Sequence, residues 1–501
     1  MKADRLIISG DLHADPAVRE RFSRDMSAYR IVPALVVEPR DEEDVIRTLR
    51  FARNEGHSIV SRSGGSDLSG ASIGPGIVLN FKRYLNRLVS VGEESVVEPG
   101  MILDHFVKKI TEHGLMLPAV PSSSAICALG GNVGTRSTGP RTAKYGTLDA
   151  FVASLRFITA GGEVVDTAER LPDHLAAGLK KIRERYLSDA ESRAIMDRRP
   201  FVAGGYNLKA LARYTDMREL ATHLLIGSVG TLGIVTQIRL KLIRKQTIHG
   251  ILVAHFRDYG GLTEGAVRLK ALNPAALEYS DASCSERVEG KILNLEDPDI
   301  VGTLVAEFDG SAEQGREAGK VIEGLGVSRM WNISPGSPEE AALWNDRRRI
   351  QMSLLKYCRE NNLLLIPVID DLAVHLKDIG SILQEIEELM QRLNLEVSFY
   401  GHPGFGSIHA RPYFNPADES IRNQIETVSR ETFKILQKYA GTLVGEHNAG
   451  RSRSIYLEEE LGPAFSYMRE IKNLFDPDDL LNPGVLFDTE PICTNMDFSI
   501  R

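Results

Sequence analysis

The chain has 501 residues, of which 43% are hydrophobic and 26% are charged, a composition of ordinary globular proteins that excludes disordered and fibrous classes. At about 150 residues per folding unit, this length predicts about three units. With 60 lysines and arginines against 68 aspartates and glutamates, the formal net charge is −8, and the lack of a basic surplus argues against a nucleic-acid binder.

The chain carries no pattern for export or membrane insertion. The stretch 1–15 has an acidic residue near its start and lacks both an apolar h-region and a small-residue cleavage site. No apolar run approaches the about 18–20 residues that span a bilayer, and the longest one, 363–369, predicts a short buried strand. We therefore expect a cytoplasmic protein, with at most peripheral association at the inner face of the membrane.

The cysteines are few and lie far apart. They include no C-x-x-C pair, so they predict neither a disulfide framework nor the ligands of an iron–sulfur cluster. If the protein moves electrons, this chain holds no iron–sulfur relay. The four are Cys127, Cys284, Cys358 and Cys493.

The first predicted elements form a β-α-β pattern behind a polar, partly helical lead-in over 1–30. A strand over 34–37 precedes a helix that begins at Asp41, which is a favourable N-cap residue. Asp44 stands at the capping-box spacing, and Gly56 ends the helix.

A glycine-rich loop then joins two predicted strands, 58–61 and 77–81. In dinucleotide-binding folds of the NAD type, the G-x-G-x-x-G loop lies between a strand and a helix, so the position and spacing here exclude that fold. Glycine still allows successive backbone N–H groups to converge on a phosphate. The alternative is a chain reversal that requires positive φ. The glycines concerned are Gly64, Gly65 and Gly70.

Further glycine-dense segments follow at 118–132, with 134–139 and 144–146 behind it, and at 227–236. Each mixes small residues with hydroxyl groups, which lets the backbone approach a flat or phosphorylated ligand and donate hydrogen bonds. Three such regions in the first half of one chain predict a large, extended cofactor rather than a single phosphate.

A predicted hairpin in the last quarter of the chain carries two histidines. Strands over 395–400 and 407–414 flank a turn over 403–406, which makes His402 and His409 diagonal neighbours on adjacent strands. Two imidazoles so placed can share a divalent metal, with Zn–N distances of about 2.0–2.1 Å. A pair of purely structural histidines is the alternative, and spacing alone favours it.

Together these segments resemble the FAD-binding half of the vanillyl-alcohol-oxidase/PCMH flavoprotein superfamily. The G-E-H run at 445–447, with F-D-P-D and N-P-G within 475–484, is similar to the branch that contains D-lactate dehydrogenase, the glycolate oxidase FAD subunit and D-2-hydroxyglutarate dehydrogenase. The segment 401–412 looks like that of FAD modules fused to an iron–sulfur domain. The resemblance runs from about residue 15 to the end and is specific for fold and flavin rather than for substrate.

The resemblance implies an α+β fold with three parts. These are a PCMH-type two-lobed FAD-binding domain, a ferredoxin-like α+β substrate (cap) domain and a C-terminal helical segment that returns to the FAD domain. Behind the lead-in over 1–30, we expect them over 31–245, 246–444 and 445–501.

The resemblance also implies FAD as the cofactor. Some relatives tether the flavin through a histidine in the first glycine loop, but here Ser66 and Asp67 follow the two glycines, so we expect non-covalent FAD. The residues expected to hold it are Arg62, Ser63, Gly64, Gly65, Ser66, Asp67, Gly70, Pro121, Ser122, Ser123, Gly130, Gly131, Asn132, Thr135, Ser137, Gly139, Tyr145, Gly146, Gly230, Gly233, Ile234, Val235 and Asn482.

Carried over from the metal-dependent relatives, His402, His409 and Glu446 become ligands of a divalent ion (Zn, Mn or Fe), and His447 becomes the base. Such an ion can chelate the hydroxyl and carboxylate of a 2-hydroxy acid and lower the hydroxyl pKa, while a neutral histidine accepts the proton. The alternative for Glu446 and His447 is an ordinary solvated pair that ends a strand.

An anionic substrate also requires a cation. Arg347 stands at a position that resembles the family's W-x-x-R arginine, which pairs with the substrate carboxylate, and Arg411 is a second candidate on the strand of His409. A basic helix face is the alternative for Arg347. Tyr206 matches a segment that faces the site in the family, or else it belongs to the core.

These features favour an FAD-dependent dehydrogenase that oxidises a small D-2-hydroxy acid of the lactate, glycolate or 2-hydroxyglutarate type. The implied electron acceptor is a separate iron–sulfur subunit or a quinone, because the chain stops where the relatives' iron–sulfur domain begins. The alternatives are an oxygen-using or redox-neutral flavoenzyme on the same scaffold and a non-catalytic flavin-holding subunit of an electron-transfer complex. Departures from the family pattern at Val229, Phe405 and Asn448-Ala449 leave the particular acid undetermined.

Overall fold

Helices and sheets are mixed throughout the computed structural model, which describes residues 5–200, 204–288 and 299–499. The predicted α+β class is confirmed, because two small sheets lie in the first half of the chain and one large sheet lies in the second half. In the described part of the chain, no helix has the length and apolar character that crossing a bilayer requires.

The first sheet has the strand order β1-β2-β4-β3, with β2, β4 and β3 parallel and β1 antiparallel at the edge. Every residue of β2 and β4 is buried, as expected for parallel strands that are covered on both faces. The lead-in supplies β1 as well as helix α1 (Pro16–Arg21). The strands are β1 Asp11–His13, β2 Leu35–Glu38, β3 Ile59–Arg62 and β4 Ile77–Asn80.

Helix α2 (Glu42–Glu55) follows β2 and has the predicted ends. The Asp41 carboxylate accepts the N–H of Asp44, and Gly56 ends the helix in the left-handed conformation at φ 70°. The Asp44 carboxylate closes no capping box and instead accepts the N–H of Ser9 at 2.7 Å. This hydrogen bond connects the N-terminal segment to helix α2.

The second sheet is antiparallel, with the order β5-β6-β10-β8-β9. It is accompanied by a two-stranded ribbon, formed by β7 and β11, and by the described helices α3 to α9. The strands are β5 Leu88–Ser90, β6 Glu94–Val97, β7 Leu115–Met116, β8 Val152–Ile158, β9 Val164–Asp166, β10 Ile234–Lys241 and β11 Ile243–Arg244. The helices are α3 Leu103–Glu112, α4 Leu129–Thr135, α5 Thr142–Tyr145, α6 Asp173–Ser188, α7 Ala190–Arg198, α8 Lys209–Arg213 and α9 Met217–Leu225.

The third sheet begins as a ferredoxin-like unit. Its first four strands are joined by helices α10 (Tyr259–Ala271), α11 (Ala282–Arg287) and α12 (Ala312–Ile322) in the chain order β12-α10-β13-α11-β14-α12-β15. The four strands pair antiparallel in the order β15-β12-β14-β13. Strands β18, β19 and β16 extend the sheet beyond β13, and β17 also pairs with β19. The strands are β12 Gly250–Phe256, β13 Ala276–Asp281, β14 Gly302–Phe308, β15 Val327–Ile333, β16 Leu364–Leu365, β17 Leu372–Ala373, β18 Val397–His402 and β19 Ser407–Phe414.

The two faces of this sheet carry different helices. Leu252 and Ala254 pack with helices α10, α12, α14 and α15, whereas Ile251 and Val253 pack with Leu343 of α13, as the alternation of side chains along a strand requires. The helices are α10 Tyr259–Ala271, α11 Ala282–Arg287, α12 Ala312–Ile322, α13 Pro338–Glu360, α14 Ile379–Arg392 and α15 Ile421–Lys438.

The C-terminal segment returns to the first sheet. The N–H of Asn482 donates to the carbonyl of Ile59 at 2.8 Å, and the N–H of Ile59 donates to the carbonyl of Leu480 at 2.8 Å. Its helices are α16 Gly450–Arg453, α17 Leu457–Leu461 and α18 Phe465–Phe475. The three parts of the predicted fold are therefore present, while the boundaries at residues 30, 245 and 444 stay predictions.

Candidate active site

A cavity of about 420 Å³ lies between the glycine-rich loops of the first two sheets and the third sheet with helix α13. On one side its lining comes from the loops within 61–72, 121–138 and 225–235. On the other side it comes from α13, the β18–β19 hairpin and the residue pair Glu446-His447. The predicted flavin residues and the predicted metal residues therefore face one space.

Most of the predicted flavin residues line this cavity. They are Arg62, Ser63, Gly64, Gly65, Ser66, Asp67, Pro121, Ser122, Ser123, Gly130, Gly131, Asn132, Thr135, Ser137, Gly230, Gly233 and Val235. Six others lie outside the lining: Gly70, Gly139, Tyr145, Gly146, Ile234 and Asn482. Among these six, Tyr145 donates its hydroxyl to Asp309, directly after β14, and Ile234 is buried in the hydrophobic core beside the first sheet.

Val229 has an unusual backbone conformation in the third glycine-rich loop. Its φ of 46° is in the left-handed region, which a β-branched residue rarely adopts. The N–H of Val229 donates to the carbonyl of Gly134 at 2.9 Å, and its carbonyl accepts the side-chain amide of Asn482 at 2.8 Å. These bonds hold the strained peptide against the cavity, which is where such strain concentrates in proteins.

The predicted hairpin is confirmed. Strands β18 and β19 pair with His402 opposite Ser407 and Tyr400 opposite His409, so the two imidazoles are diagonal neighbours with ring centroids 5.8 Å apart. Gly406 ends the turn at φ 94°, a conformation that glycine adopts without strain.

The hydrogen bonds of the two histidines define which ring nitrogen carries the proton. His402 Nδ1 lies 2.6 Å from a carboxylate oxygen of Glu278, and His409 Nδ1 lies 2.7 Å from the carbonyl oxygen of Asp370. Because both partners can only accept, each Nδ1 must donate, and each neutral ring keeps a lone pair on Nε2. Those Nε2 atoms face Glu446 Oε1, at 3.0 Å from His409 and 3.9 Å from His402.

Glu446 is buried and held as an anion. Burial alone would raise the pKa of its carboxyl, but the imidazoles of His402 and His409 keep that pKa well below its usual range. The hydroxyl of Thr138 donates to its other carboxylate oxygen. When the rings of His402 and His409 are neutral, their two Nε2 lone pairs and a carboxylate oxygen of Glu446 converge, an arrangement that a cation would satisfy.

Two acidic residues that the sequence reasoning missed hold the centre of this site. The carboxylate of Asp371 accepts the N–H of Glu446 at 2.8 Å and the N–H of His447 at 2.9 Å. Asp370 pairs with two buried arginines, Arg411 at 3.3 Å and Arg453. Only Leu364–Leu365 of the predicted strand over 363–369 is a strand, and an acidic pair directly after such an apolar run is the signal that could have located them.

His447 lies at the edge of the same group. Its side chain is 26% exposed and lines the cavity, with Nε2 at 3.4 Å from Glu446 Oε1. Burial lowers its pKa, but the carboxylates of Asp371 and Asp370 outweigh burial and raise the pKa to about 9. Ligand atoms of four residues lie within 4.8 Å of one another: Asp371, His409, Glu446 and His447. Two of the three predicted ligands, His409 and Glu446, belong to this set, and the third, His402, lies beside it.

The predicted substrate-binding cations are already engaged. Arg347 directs Nε and Nη2 to one oxygen of Glu278, both at 2.7 Å, and Arg411 donates to Gln351 at 2.7 Å. Both line the cavity. Arg348 also lines it, is exposed, and makes no hydrogen bond or ion pair with any described residue.

Tyr206 lies apart from the cavity. Its side chain is only 2% exposed, and its hydroxyl lies 2.7 Å from the hydroxyl of Thr231. Burial raises the pKa of this phenol strongly. Tyr206 does not contribute to the cavity lining, in agreement with the core alternative.

The balance of buried charge around the cavity depends on His447. Four carboxylates, each at most 6% exposed, lie in one cluster with three guanidinium groups. The carboxylates are Glu278, Asp370, Asp371 and Glu446, and the guanidinium groups are Arg347, Arg411 and Arg453. Protonated His447, whose pKa is raised to about 9, supplies a fourth cation. When His447 is neutral, one buried negative charge is in excess, which is unfavourable unless another cation joins the cluster.

Two family descriptions match the chain. Residues 249–486 match "FAD linked oxidases, C-terminal domain", and residues 33–168 match "FAD binding domain". The chain thus carries both domains of one kind of flavoprotein, in the order that the resemblance implied.

Similar curated proteins align over nearly the whole chain. The glycolate oxidase subunit GlcD of Bacillus subtilis is 26% identical over 97% of this chain and 96% of its own length. The D-2-hydroxyglutarate dehydrogenase of Escherichia coli is 25% identical over 96% of this chain, which spans only 51% of that protein. The mitochondrial D-lactate dehydrogenase [cytochrome] of Arabidopsis thaliana is 25% identical over 91% of this chain and 73% of its own length.

Solved structures share the fold. The 4-ethylphenol oxidase from Gulosibacter chungangensis superposes with a TM-score of 0.68 over 94% of this chain and 93% of its own. An alkyldihydroxyacetonephosphate synthase superposes with a TM-score of 0.65 over 94% of this chain and 83% of its own. At 15% identity in each case, these likenesses concern the fold alone.

Proposed function

This chain belongs to the PCMH-type FAD oxidase superfamily, and from that membership we propose that it is an FAD-dependent dehydrogenase that oxidises a small D-2-hydroxy acid to the 2-oxo acid. It is an oxidoreductase that acts on CH–OH donors. The relatives named for glycolate, D-2-hydroxyglutarate and D-lactate support a 2-hydroxy acid as the substrate.

The glycine-rich loops are assigned to FAD. They line the cavity with backbone groups and small hydroxyl side chains, and the cavity volume of about 420 Å³ falls in the range of cofactor sites. No histidine stands beside Gly64 and Gly65, so the flavin is held without a covalent bond. The residues that would hold it are the seventeen that line the cavity.

The observation that carries the metal assignment is the convergence of acceptors at Glu446. In their neutral forms, His402 and His409 direct Nε2 lone pairs toward the anionic carboxylate of Glu446. With His447 also neutral, the four buried carboxylates of the cluster outnumber its three guanidinium groups by one. A divalent ion of the Zn, Mn or Fe type suits two imidazoles and a carboxylate. When bound, FAD would supply the acceptor for the hydride from Cα, and the ion would supply a Lewis acid for the substrate oxygens.

The side chains of this chain would bind and deprotonate the acid. Arg347 and Arg348, on consecutive positions of α13, are assigned to the carboxylate group. In its neutral form, His447 Nε2 receives the hydroxyl proton, because it faces the cavity beside Glu446. Since its pKa is raised to about 9, that neutral form becomes more populated as the pH rises toward 9. Asp371 holds the backbone of Glu446 and His447 in place through both N–H groups. Loss of that proton, together with transfer of a hydride from Cα to bound FAD, would convert the alcohol into the carbonyl group of the 2-oxo acid.

The electrons are proposed to leave toward a separate iron–sulfur protein or a quinone. All four cysteines of the chain are buried, and none is paired. They therefore offer no cluster ligation within the chain. Co-purification with a cysteine-rich iron–sulfur protein supports the first acceptor, and full activity of the isolated chain with a quinone supports the second.

An anaerobic reduction experiment tests this function. The purified protein, with its flavin and metal contents measured, is mixed with D- and L-2-hydroxy acids while the visible spectrum is recorded. We expect one D-acid to bleach the flavin, and we expect chelation or His447→Gln to slow the bleaching at least about 100-fold, as loss of a general base does. His249→Gln, which changes an exposed histidine outside the cavity, is the matched control.

Other outcomes would replace the proposal. A flavin that bleaches and is reoxidised rapidly in air identifies an oxygen-using oxidase. A flavin that no hydroxy acid bleaches, in a protein without metal, identifies a non-catalytic flavin-holding subunit.

A further inference from the structure

Glu278 joins two members of the site, although no motif surrounds it. It lies on β13 and is 1% exposed. One carboxylate oxygen lies 2.6 Å from His402 Nδ1, and the other accepts from Arg347 Nε at 2.7 Å. This one buried group therefore contacts both a proposed metal ligand and a proposed substrate-binding arginine.

The chemistry of a carboxylate gives this contact a specific consequence. An ionised glutamate can only accept hydrogen bonds, so His402 must carry its proton on Nδ1 and direct the lone pair of Nε2 toward Glu446. Partners of this kind orient metal-binding histidines and typically contribute about 10–100-fold to metal affinity. The same carboxylate fixes the direction of the Arg347 guanidinium.

We propose that Glu278 is a positioning residue that sets both the tautomer of His402 and the direction of Arg347. It thereby fixes the position of the metal-binding residues relative to the arginine that binds the substrate carboxylate. The metal and carboxylate roles of these two residues rest on the proposed function. The tautomer of His402 does not, since it follows from the hydrogen bond alone.

A purely structural pair would behave differently, and the chain contains one for comparison. Glu307 on the neighbouring strand β14 is also buried, at 0% exposed, and pairs with Arg141 at 2.8 Å. Neither residue lines the cavity. Glu307→Gln therefore removes a buried glutamate from an arginine pair without touching a histidine of the site.

Glu278→Gln makes the sharpest test because Arg347 can only donate hydrogen bonds, whereas a neutral His402 can donate or accept at Nδ1. Arg347 can only donate, so the new amide oxygen turns toward it and the new NH₂ group turns toward His402. His402 Nδ1 must then accept, which moves the ring proton to Nε2 and removes the lone pair that a metal would use. The variant keeps the shape of the side chain while reversing the tautomer.

The first measurement is metal affinity. Flavin-loaded protein is stripped with a chelator and titrated with Zn²⁺ in competition with a chromophoric chelator. We expect Glu278→Gln to weaken Zn²⁺ binding about 10–100-fold and Glu307→Gln to leave it within about twofold. Equal affinities for the wild type and Glu278→Gln would overturn the positioning role and leave the proposed function standing.

Arg347→Met separates the contact of Glu278 with Arg347 from its contact with His402. It keeps the bond between Glu278 and His402, so we expect unchanged Zn²⁺ affinity together with a KM about tenfold higher for the hydroxy acid. The double variant Glu278→Met/Arg347→Met removes the buried charges as a pair, which avoids an unpaired guanidinium if Glu278→Gln fails to fold. It should fold, retain flavin and still bind Zn²⁺ about 10–100-fold more weakly than the wild type.

The second measurement does not depend on metal or turnover. Nitrogen chemical shifts of ¹⁵N-histidine-labelled, metal-free protein report which ring nitrogen is protonated, and His402→Asn assigns the signal. We expect protonated Nδ1 in the wild type and protonated Nε2 in Glu278→Gln. If the wild type binds no Zn²⁺, the metal part of the proposed function fails, and this measurement alone decides the role of Glu278: a wild-type ring with its proton on Nε2 would refute it.

Discussion

At the scale of single residues, the arginines that line the cavity differ in whether they have a carboxylate partner. Arg411 is 2% exposed and bonded to Gln351 and Asp370, while Arg347 is bonded to Glu278. Arg348 has no such partner among the described residues and is exposed to the cavity. A cation without a carboxylate partner is the one with most to gain from an anionic ligand.

Arg348→Met is therefore expected to raise the KM of the hydroxy acid about tenfold, which corresponds to about 1.4 kcal/mol of lost binding. The value of kcat should change little, because the residue would contact the substrate away from the reacting carbon. Steady-state kinetics with the acid found in the reduction experiment measure both constants. Arg349→Met is the control, since Arg349 is exposed on the same helix but does not line the cavity; equal KM values for the two variants would contradict the assignment.

At the scale of elements, the β18–β19 hairpin determines how the two proposed metal-binding imidazoles meet. Its turn requires Gly406 at φ 94°. A Cβ at this position would clash with the carbonyl oxygen of Val374, on the segment that follows β17. The turn is thus restricted both by its backbone conformation and by the chain packed against it.

Gly406→Ala is expected to destabilise the protein by more than about 2 kcal/mol, because left-handed strain of about 1 kcal/mol adds to the clash. Gly336→Ala isolates the first contribution, since Gly336 has a φ of 79° and no atom lies within 4 Å of the position that its Cβ would take. Thermal unfolding of both variants, followed by circular dichroism, measures the difference. Similar midpoints for the two would mean that the hairpin relaxes around the added methyl group.

At the scale of the whole molecule, residues from distant parts of the sequence surround the cavity. Asn482 of the C-terminal segment donates its amide to the carbonyl of Ala71 and to the carbonyl of Val229, both at 2.8 Å. It therefore connects the first and third glycine-rich loops from behind the cavity. It adopts φ 46°, a conformation that asparagine tolerates well.

Asn482→Asp is expected to weaken flavin retention about tenfold, because a carboxylate cannot donate to either carbonyl and would face two buried acceptors. The loss of flavin on dilution, followed by the recovery of flavin fluorescence, measures it. Asn495→Asp provides the control, since Asn495 also has a left-handed φ of 62° but lies in the C-terminal segment outside the cavity lining. Equal flavin release from both variants would show that the loops hold their arrangement without Asn482.

Contacts between the FAD-binding lobe and the segments around the large sheet also belong to the scale of the whole molecule. Arg141 pairs with Glu307 at 2.8 Å, and Lys270 donates to the carbonyl of Ala143 at 2.5 Å. Lys144 and Tyr145 both bond to Asp309. The segment 141–145, which overlaps the predicted flavin segment 144–146, thus connects the FAD-binding lobe to the part of the chain that carries the large sheet.

Local features of this protein were determined by the sequence itself. The cap at Asp41, the glycine-rich loops and the hairpin with His402 and His409 depend on turn residues, on side-chain periodicity and on neighbours a few positions apart. The motifs that carry the family resemblance are local in the same sense. They were sufficient to predict the flavoprotein fold and part of the candidate site.

The tertiary structure decided which distant residues meet these motifs. Glu278 lies 124 positions from His402, and Thr138 lies 308 positions from Glu446, so no spacing rule relates either pair. The sequence marks Asp370 only as an acidic residue after an apolar run, because its role comes from the packing of the segment after β16 against the hairpin. Side chains far apart in the chain come together only when sheets and helices pack, and that packing is where the tautomers and buried charges of this site are determined.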